Sequence, residues 1–400
     1  MTIRIATAHT FDSSIESLMT RQRDLSETQM QLTSGKRVNR ASDDPAAAAR
    51  AERARAGEQR SSASLRAVEA SRVNMTMTES TLGSATELLQ QAREALVAAG
   101  NPSYTDSERA RLGESIASMR AQLLALANQA DGAGRYLFGG QGSSAPPFID
   151  APGGVQFRGT AGQLFAGDEP GLMLSMDGAA VWLSGATGNG VFETRATTSN
   201  GSAWVDAGSV TNPASLTGST YRVQFSVAAG VTTYSVLKDG AATALTNVAY
   251  APGTAIEVDG IAMTIQGAPA NGDQFDALPS TRTLSAFDVL DRAAAALKTP
   301  LRSATQIKQG VADDLRNVDA VFGQFHAARA AAGDALNRLD GSDARLQDAK
   351  LQATTERSEA EDLDMVQAIS AFQNRQAGYD AALKSYSMVQ RLSLFQYLNV

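Results

Sequence analysis

Residues that break helices are crowded into one part of this chain and nearly missing from the rest. Of its 34 glycines, 24 lie between residues 131 and 285, together with 8 of its 11 prolines and both tryptophans, Trp182 and Trp204. The flanks on either side are rich in Ala, Leu, Gln, Glu and Arg, a composition that favours long helices, whereas a Gly-, Thr- and Val-rich middle favours strands joined by turns. The chain therefore reads as a helical rod interrupted by a β-rich insert.

The flanks carry seven-residue repeats. Ile15, Leu18, Gln22, Leu25, Gln29 and Leu32 follow alternating steps of three and four, which draws one narrow stripe along a helix from Asp12 to Leu32. A second series, Val68, Met75, Leu82, Leu89 and Leu96, is partnered by Ala85, Ala92 and Ala99, a thin seam that lets helices approach closely. Val311, Leu315, Val318, Phe322 and Phe325 begin a third, continued by Ala332, Leu339 and Leu346. Met365, Ile369, Phe372, Gln376, Tyr379, Leu383 and Tyr386 form the fourth. Four such helices in one chain imply a bundle.

Local signals punctuate these repeats. Thr33-Ser34-Gly35 ends the first helix, Asp44 before Pro45 has the form of an N-cap, and Asn101-Pro102 ends the second helix. Thr105 and Glu108 have capping-box spacing, Ser285 with Asp288 opens a short helix closed by Pro300, and Asp340-Gly341-Ser342 predicts a break in the last flank. In the insert, Tyr221 to Val227, Thr232 to Leu237 and Ile256 to Ile265 read as strands, with turns at Asp239-Gly240 and Asp259-Gly260, in a mostly antiparallel sandwich or barrel.

The fold class expected is α+β: an elongated antiparallel helical bundle or coiled coil built from both termini, with a central β-rich insert domain. Three parts are predicted: terminal coiled-coil assembly helices (1–42 with 363–400), a helical bundle rod (43–138 with 285–362) and an outward-facing β-rich insert (139–284).

Composition narrows the chemistry. No cysteine is present, so disulfides, thiolate metal sites and cysteine nucleophiles are excluded, and His9 and His326 are too few for a multi-histidine metal centre. Of the formal charge of −7, −6 belongs to residues 131–285, and a pI near 5.1 argues against a nucleic-acid surface. No stretch is long and apolar enough to span a membrane, and the N-terminus has no basic segment leading into an apolar core. No GxSxG, HExxH, Walker A or helix-opening GxGxxG motif occurs. The paired carboxylates Asp43/Asp44, Asp313/Asp314 and Glu359/Glu361/Asp362 read as charges on solvent-facing helix, Gly139, Gly140 and Gly142 as linker, and Arg50, Arg53, Arg55 and Arg60 as a salt-laced helix face. No catalytic, cofactor-binding or metal-binding residue is expected, and an enzyme is the least favoured class. A glycan- or surface-binding insert on a coiled-coil stalk is the alternative from another class, with an exposed Trp182 or Trp204 as its first sign.

Three segments carry a resemblance. Leu32-Thr33-Ser34-Gly35-Lys36-Arg37-Val38-Asn39-Arg40-Ala41-Ser42-Asp43-Asp44-Pro45-Ala46-Ala47 resembles the segment shared by bacterial flagellins and hook-associated proteins. Leu392-Ser393-Leu394-Phe395-Gln396-Tyr397-Leu398 is similar to the closing residues of the hook-associated protein 3 family, where a flagellin would end in a short leucine and arginine tail. Pro45, where flagellins more often have Ala, points the same way. Glu257 to Ile261 and Gly267 to Phe275, leading into Phe287-Asp288-Val289-Leu290, look like a β-to-helix return of hook-associated proteins 1 and 3. The resemblance spans about residues 1–138 and 256–400.

It implies a structural junction subunit of the bacterial flagellum, linking hook-associated protein 1 at the hook tip to the flagellin filament; a flagellin filament subunit is the alternative. The implied partners are further copies of the chain in a ring, hook-associated protein 1, flagellin and an export chaperone, with no nucleic acid and no membrane insertion. The implied location is the extracellular flagellum, reached by type III export without a cleaved signal. Repeats and resemblance together nominate Ile15, Leu18, Leu25, Leu32, Ser34, Gly35, Arg37, Asn39, Asp43, Asp44, Pro45, Ile369, Phe372, Tyr379, Leu383, Tyr386, Leu392, Leu394, Phe395, Tyr397 and Leu398 for assembly.

Overall fold

The seven-residue repeats become long helices in the computed structural model, which describes residues 2–166 and 171–397, with side chains described for residues 9, 11–166 and 171–388. The helices are α1 (Thr2–Ser34), α2 (Pro45–Ala99), α3 (Asp106–Ala127), the short α4 (Gly178–Trp182), α5 (Ala286–Lys298), α6 (Ala304–Glu361) and α7 (Met365–Tyr397). Contacts divide the chain into two compact units, Met1–Arg66 with Ser342–Val400, and Ala67–Gly341.

Several boundaries follow from local chemistry. The Thr105 hydroxyl accepts the Glu108 N–H while the Glu108 carboxylate accepts the Thr105 N–H at 2.7 Å, a closed capping box that opens α3. Thr105→Ala is expected to lower stability by about 1 kcal/mol, checked by thermal unfolding. Ser285 caps α5 through the Asp288 N–H, and Arg109 satisfies the end of α2 by donating to the carbonyls of Ala99 and Asn101, both at 3.1 Å. The expected break at Asp340-Gly341-Ser342 is not there. α6 runs through it, because Ala332, Ala335 and Leu339 are buried on the preceding turns, and an interior glycine costs only about 1 kcal/mol relative to Ala. The division between the two contact units falls at that glycine even though the helix does not stop.

The larger unit has two apolar cores. In the first, Met75, Leu82, Leu89 and Leu96 of α2 and Val318 and Phe325 of α6 are wholly or almost wholly buried with α3 and α5. This core takes in Phe148, Val155, Met173, Met176, Val181 and Trp182, from the part that the sequence assigned to the insert. Trp182 lies 4.8 Å from Phe325, 5.8 Å from Phe287 and 5.1 Å from Phe138 between ring centroids, so this segment is packed with the helices. Gly139 and Gly140 are buried here and form bridges to Asp177 and Thr160, correcting the linker reading. Gly140 has φ +68°, and a Cβ there would fall 1.8 Å from the Thr160 carbonyl oxygen, so only glycine fits.

The second core belongs to residues 192–277. A six-stranded antiparallel sheet runs in the order Ala241–Ala242, Val231–Lys238, Tyr221–Ala228, Gln274–Pro279, Phe192–Thr198, with Val248–Ala249 also on Val231–Lys238. Ala255–Val258 and Ile261–Gln266 form a hairpin that pairs with Trp204–Val205 and Ser209–Val210. Val223, Phe225, Val236, Met263, Ile265 and Phe275 fill the space between. The predicted turns at Asp239-Gly240 and Asp259-Gly260 are present, with both residues of each at positive φ.

Candidate assembly site

The smaller unit holds most of the residues nominated for assembly. α1 and α7 run antiparallel: Phe11 meets Tyr386 with ring centroids 5.5 Å apart, the Arg375 guanidinium donates to the Asp24 carbonyl at 3.0 Å and to the Thr28 hydroxyl, and Leu363 N–H reaches the Gly35 carbonyl at 3.0 Å. The seam between them is thin. Ile15, Leu18, Leu25 and Leu32 of α1 are half-buried, as are Phe372, Tyr379 and Tyr386 of α7, each seven residues from the next. Ile369 (47% exposed) and Leu383 (42% exposed) are left open to solvent with Met365 and Val366, so the α7 stripe is split: one half is covered by α1 and the other stays largely open among the described residues. The side chains of Leu392, Leu394, Phe395 and Tyr397 and the whole of Leu398 lie outside the described residues.

Between α1 and α2 the shared motif folds into a turn stitched to the start of α7. Gly35 leaves α1 at φ +68°. The Asp43 carboxylate accepts the N–H groups of Asn39 at 3.0 Å and Arg40 at 2.8 Å, and Asp44 caps α2 by accepting the Ala47 N–H at 2.9 Å while pairing with Arg37 at 3.1 Å. Pro45 takes the first helical position of α2, and the Ser34 hydroxyl accepts the Lys36 N–H at 3.2 Å. The Arg37 backbone N–H donates to the Glu361 carbonyl at 2.8 Å and its guanidinium to the Ala360 carbonyl at 2.8 Å, so the motif grips the join between α6 and α7.

Backbone hydrogen bonds hold the Asp43 and Asp44 carboxyls below the ordinary carboxylate value of 3.8. A lowered folded pKa favours the fold above the unfolded value and withdraws that support as pH falls below it. The turn should therefore loosen only in acid below about pH 4, detectable as faster amide exchange at residues 39, 40 and 47.

Glu361 was read as a solvent-facing charge, and the structure corrects this. Its side chain is 8% exposed, with Oε1 3.2 Å from Lys36 and Oε2 2.7 Å from Arg55. It thus ties the motif to α2 from the end of α6. Only its position within a charged run could have hinted at the role, since Lys36 and Arg55 lie over 300 residues away in sequence. Glu361→Gln is expected to lower the unfolding free energy of this unit by about 1–3 kcal/mol, toward the low end because Lys36 and Arg55 are partly hydrated. Chemical denaturation checks this.

Among the described residues no group of three His, Cys, Asp or Glu is placed to hold a metal, and no helix is long and apolar enough to cross a membrane. Trp182 is 1% exposed in the helix-packed core and Trp204 is half-buried, which removes the first sign expected of a glycan-binding insert.

Comparison with known proteins agrees with this arrangement. Residues 8–143 match the model of the bacterial flagellin N-terminal helical region, and residues 193–279 match the D2-like domain of flagellar hook-associated protein 1. Flagellar hook-associated protein 3 of Salmonella typhimurium is 26% identical over 398 residues, covering 98% of this chain and 99% of that protein. Over nearly its whole length the chain is similar to the hook-associated protein 3 family. The family member of Escherichia coli is 26% identical over 92% of this chain and 90% of its own. Among solved structures, FlgL of Xanthomonas campestris has a TM-score of 0.67 at 26% identity, covering 77% of this chain and 99% of that one. The flagellar junction protein FlgL of Legionella pneumophila has a TM-score of 0.61 at 27% identity, covering 68% and 93%. These likenesses agree with the long terminal helices and the central antiparallel β domain described above.

Proposed function

We propose that this chain is the structural junction subunit of a bacterial flagellum, linking hook-associated protein 1 at the hook tip to the flagellin filament, with no catalytic role. The observation that carries the reading is the α1–α7 pair, whose apolar stripe is only half covered within one chain. Such a pair gains a partner by repeated head-to-tail packing with further copies, and contacts of that kind close into a ring or continue as a tube according to the rotation per subunit. In the junction the pair supplies the contacts between copies, and the motif at residues 34–45 fixes its direction. Marginal terminal helices suit export unfolded through the type III apparatus, with a chaperone covering the C-terminal helix until release. The absence of cysteine suits that route, because no wrong disulfide can form outside the cell.

The match of residues 8–143 to the flagellin helical region is the one observation favouring a filament subunit. Full-length protein incubated with hooks already bearing hook-associated protein 1 separates the two readings. A junction subunit adds to the tip as a short zone and permits flagellin to follow. Growth of long filaments from the purified chain alone would establish the flagellin reading instead.

A further inference from the structure

The β domain sits on α6 through a small set of polar side chains. The Arg316 guanidinium, 8% exposed, donates to the Thr194 carbonyl at 2.8 Å, to the Thr194 hydroxyl and to the Asp313 carboxylate. Gln309 accepts the Val205 N–H at 2.9 Å and donates to Asp313 at 2.9 Å. Asp313 is therefore the hub that holds both residues clasping the strands Phe192–Thr198 and Trp204–Val205. Glu193, on the first of those strands, faces Asp313 as a like charge.

Asp314 follows directly and is not the solvent-facing charge expected from sequence. It is 9% exposed, and among the described residues no hydrogen bond or ion pair reaches its carboxylate. The charges around it are Asp313 and Arg316 on α6, Arg292 on α5 and Arg302 in the loop between α5 and α6. Arg302 spends its Nη atoms on the carbonyls of Ala296 at 3.2 Å and Gln306 at 2.6 Å, and Arg292 Nε donates to the Asp288 carbonyl at 3.4 Å. A buried carboxylate with no donor is costly when charged, and here it also repels the hub and draws on the charge of Arg316.

We propose that Asp314 is a proton-operated tensioner of the seat between α6 and the β domain: its charge at neutral pH slackens the clasp of Arg316 and Gln309, and its neutralisation on mild acidification tightens it. With Asp314 neutral, Arg316 answers to Asp313 alone and Glu193 is the like charge left facing the hub. Burial, followed by the repulsion of Asp313, pushes the Asp314 carboxyl up to about 6. A folded pKa above the unfolded 3.8 means that the folded state holds the proton more tightly, so the penalty is present above about pH 6 and fades as pH falls through it.

Hydrogen exchange on the full-length chain at pH 7.5 and 5.0, corrected for the intrinsic pH dependence of exchange, tests this. Protection of the amides of strands 192–198 and 204–205 should rise about tenfold on acidification, relative to strand 221–228 of the same sheet system. Asp314→Asn should show the acid-level protection at both pH values. Flat or falling protection in the unaltered chain, or an Asp314→Asn chain that keeps the full response, would overturn the proposal. If that variant fails to fold, a carbon NMR titration of the Asp314 carboxyl in the unaltered chain decides: a midpoint near 6 supports the tensioner, and one near 3.8 sinks it.

Discussion

Deleting residues 1–32 or 365–400 should abolish addition to hook tips, while the thermal transition of residues 67–341 stays in place. α1 is 33 residues long, about 50 Å at 1.5 Å per residue, and its weakly apolar stripe includes the exposed Gln22 and Gln29, so it has no stability without a partner helix. Its partner in the chain is α7, which covers only part of the apolar surface. The larger unit holds its own two cores, so it loses little when either end is removed. A sharper form of the test uses Ile369→Asp and Leu383→Asp, at positions that face solvent in one chain. Each should leave monomer unfolding within about 0.5 kcal/mol of the parent, as expected for exposed positions, yet reduce assembly at least tenfold. Normal assembly by both variants would show that the open half of the α7 stripe is not a contact between copies.

Trp182→Ala should destabilise the larger unit by about 3–5 kcal/mol, since a fully buried aromatic would be replaced by a cavity between Phe138, Phe287 and Phe325. Trp182→Phe should cost far less. The indole N–H is buried with no hydrogen-bond partner, so removing it forfeits no bond and relieves an unsatisfied donor. Urea unfolding of the two variants checks the pair, and equal losses for Phe and Ala would mean that the indole N–H matters in a way the geometry does not contain. The prediction also bears on function, because a tryptophan committed to the core is not available to stack on a sugar.

Much of the architecture was legible because it is written at short range. The repeats of Met75, Leu82, Leu89 and Leu96, the Thr105–Glu108 box, the Ser285 cap and the Asp259-Gly260 turn all involve residues within seven positions of one another, where backbone geometry alone sets which side chains meet. The motif from Leu32 to Ala47 was legible as a resemblance, and its internal caps at Asp43 and Asp44 are local too. The α7 stripe was half legible: periodicity placed Phe372, Tyr379 and Tyr386 on one face, but it did not tell them from Ile369 and Leu383, since only a partner helix decides which edge of a stripe is covered.

What sequence could not supply is burial that depends on distant partners. Glu361 and Asp314 look in the sequence like ordinary helix charges. Glu361 is enclosed because Lys36 and Arg55 come to it from the other end of the chain, and Asp314 is buried on a turn of α6 that Arg292 of α5 and Arg302 of the following loop approach. Gly341 suggested a break by its type, and packing on the adjacent turns overrode so small a propensity. Residues 137–186 carried the composition of the insert, but their large aromatic side chains found their partners on α5 and α6. Sequence by itself determined the helices, their caps, the position of the β zone and the family pattern, because each is fixed by neighbours along the chain. The tertiary structure alone decided which charges left water, which core each segment joined and which half of the terminal stripe stayed open, because desolvation and packing are set by groups that only folding brings together.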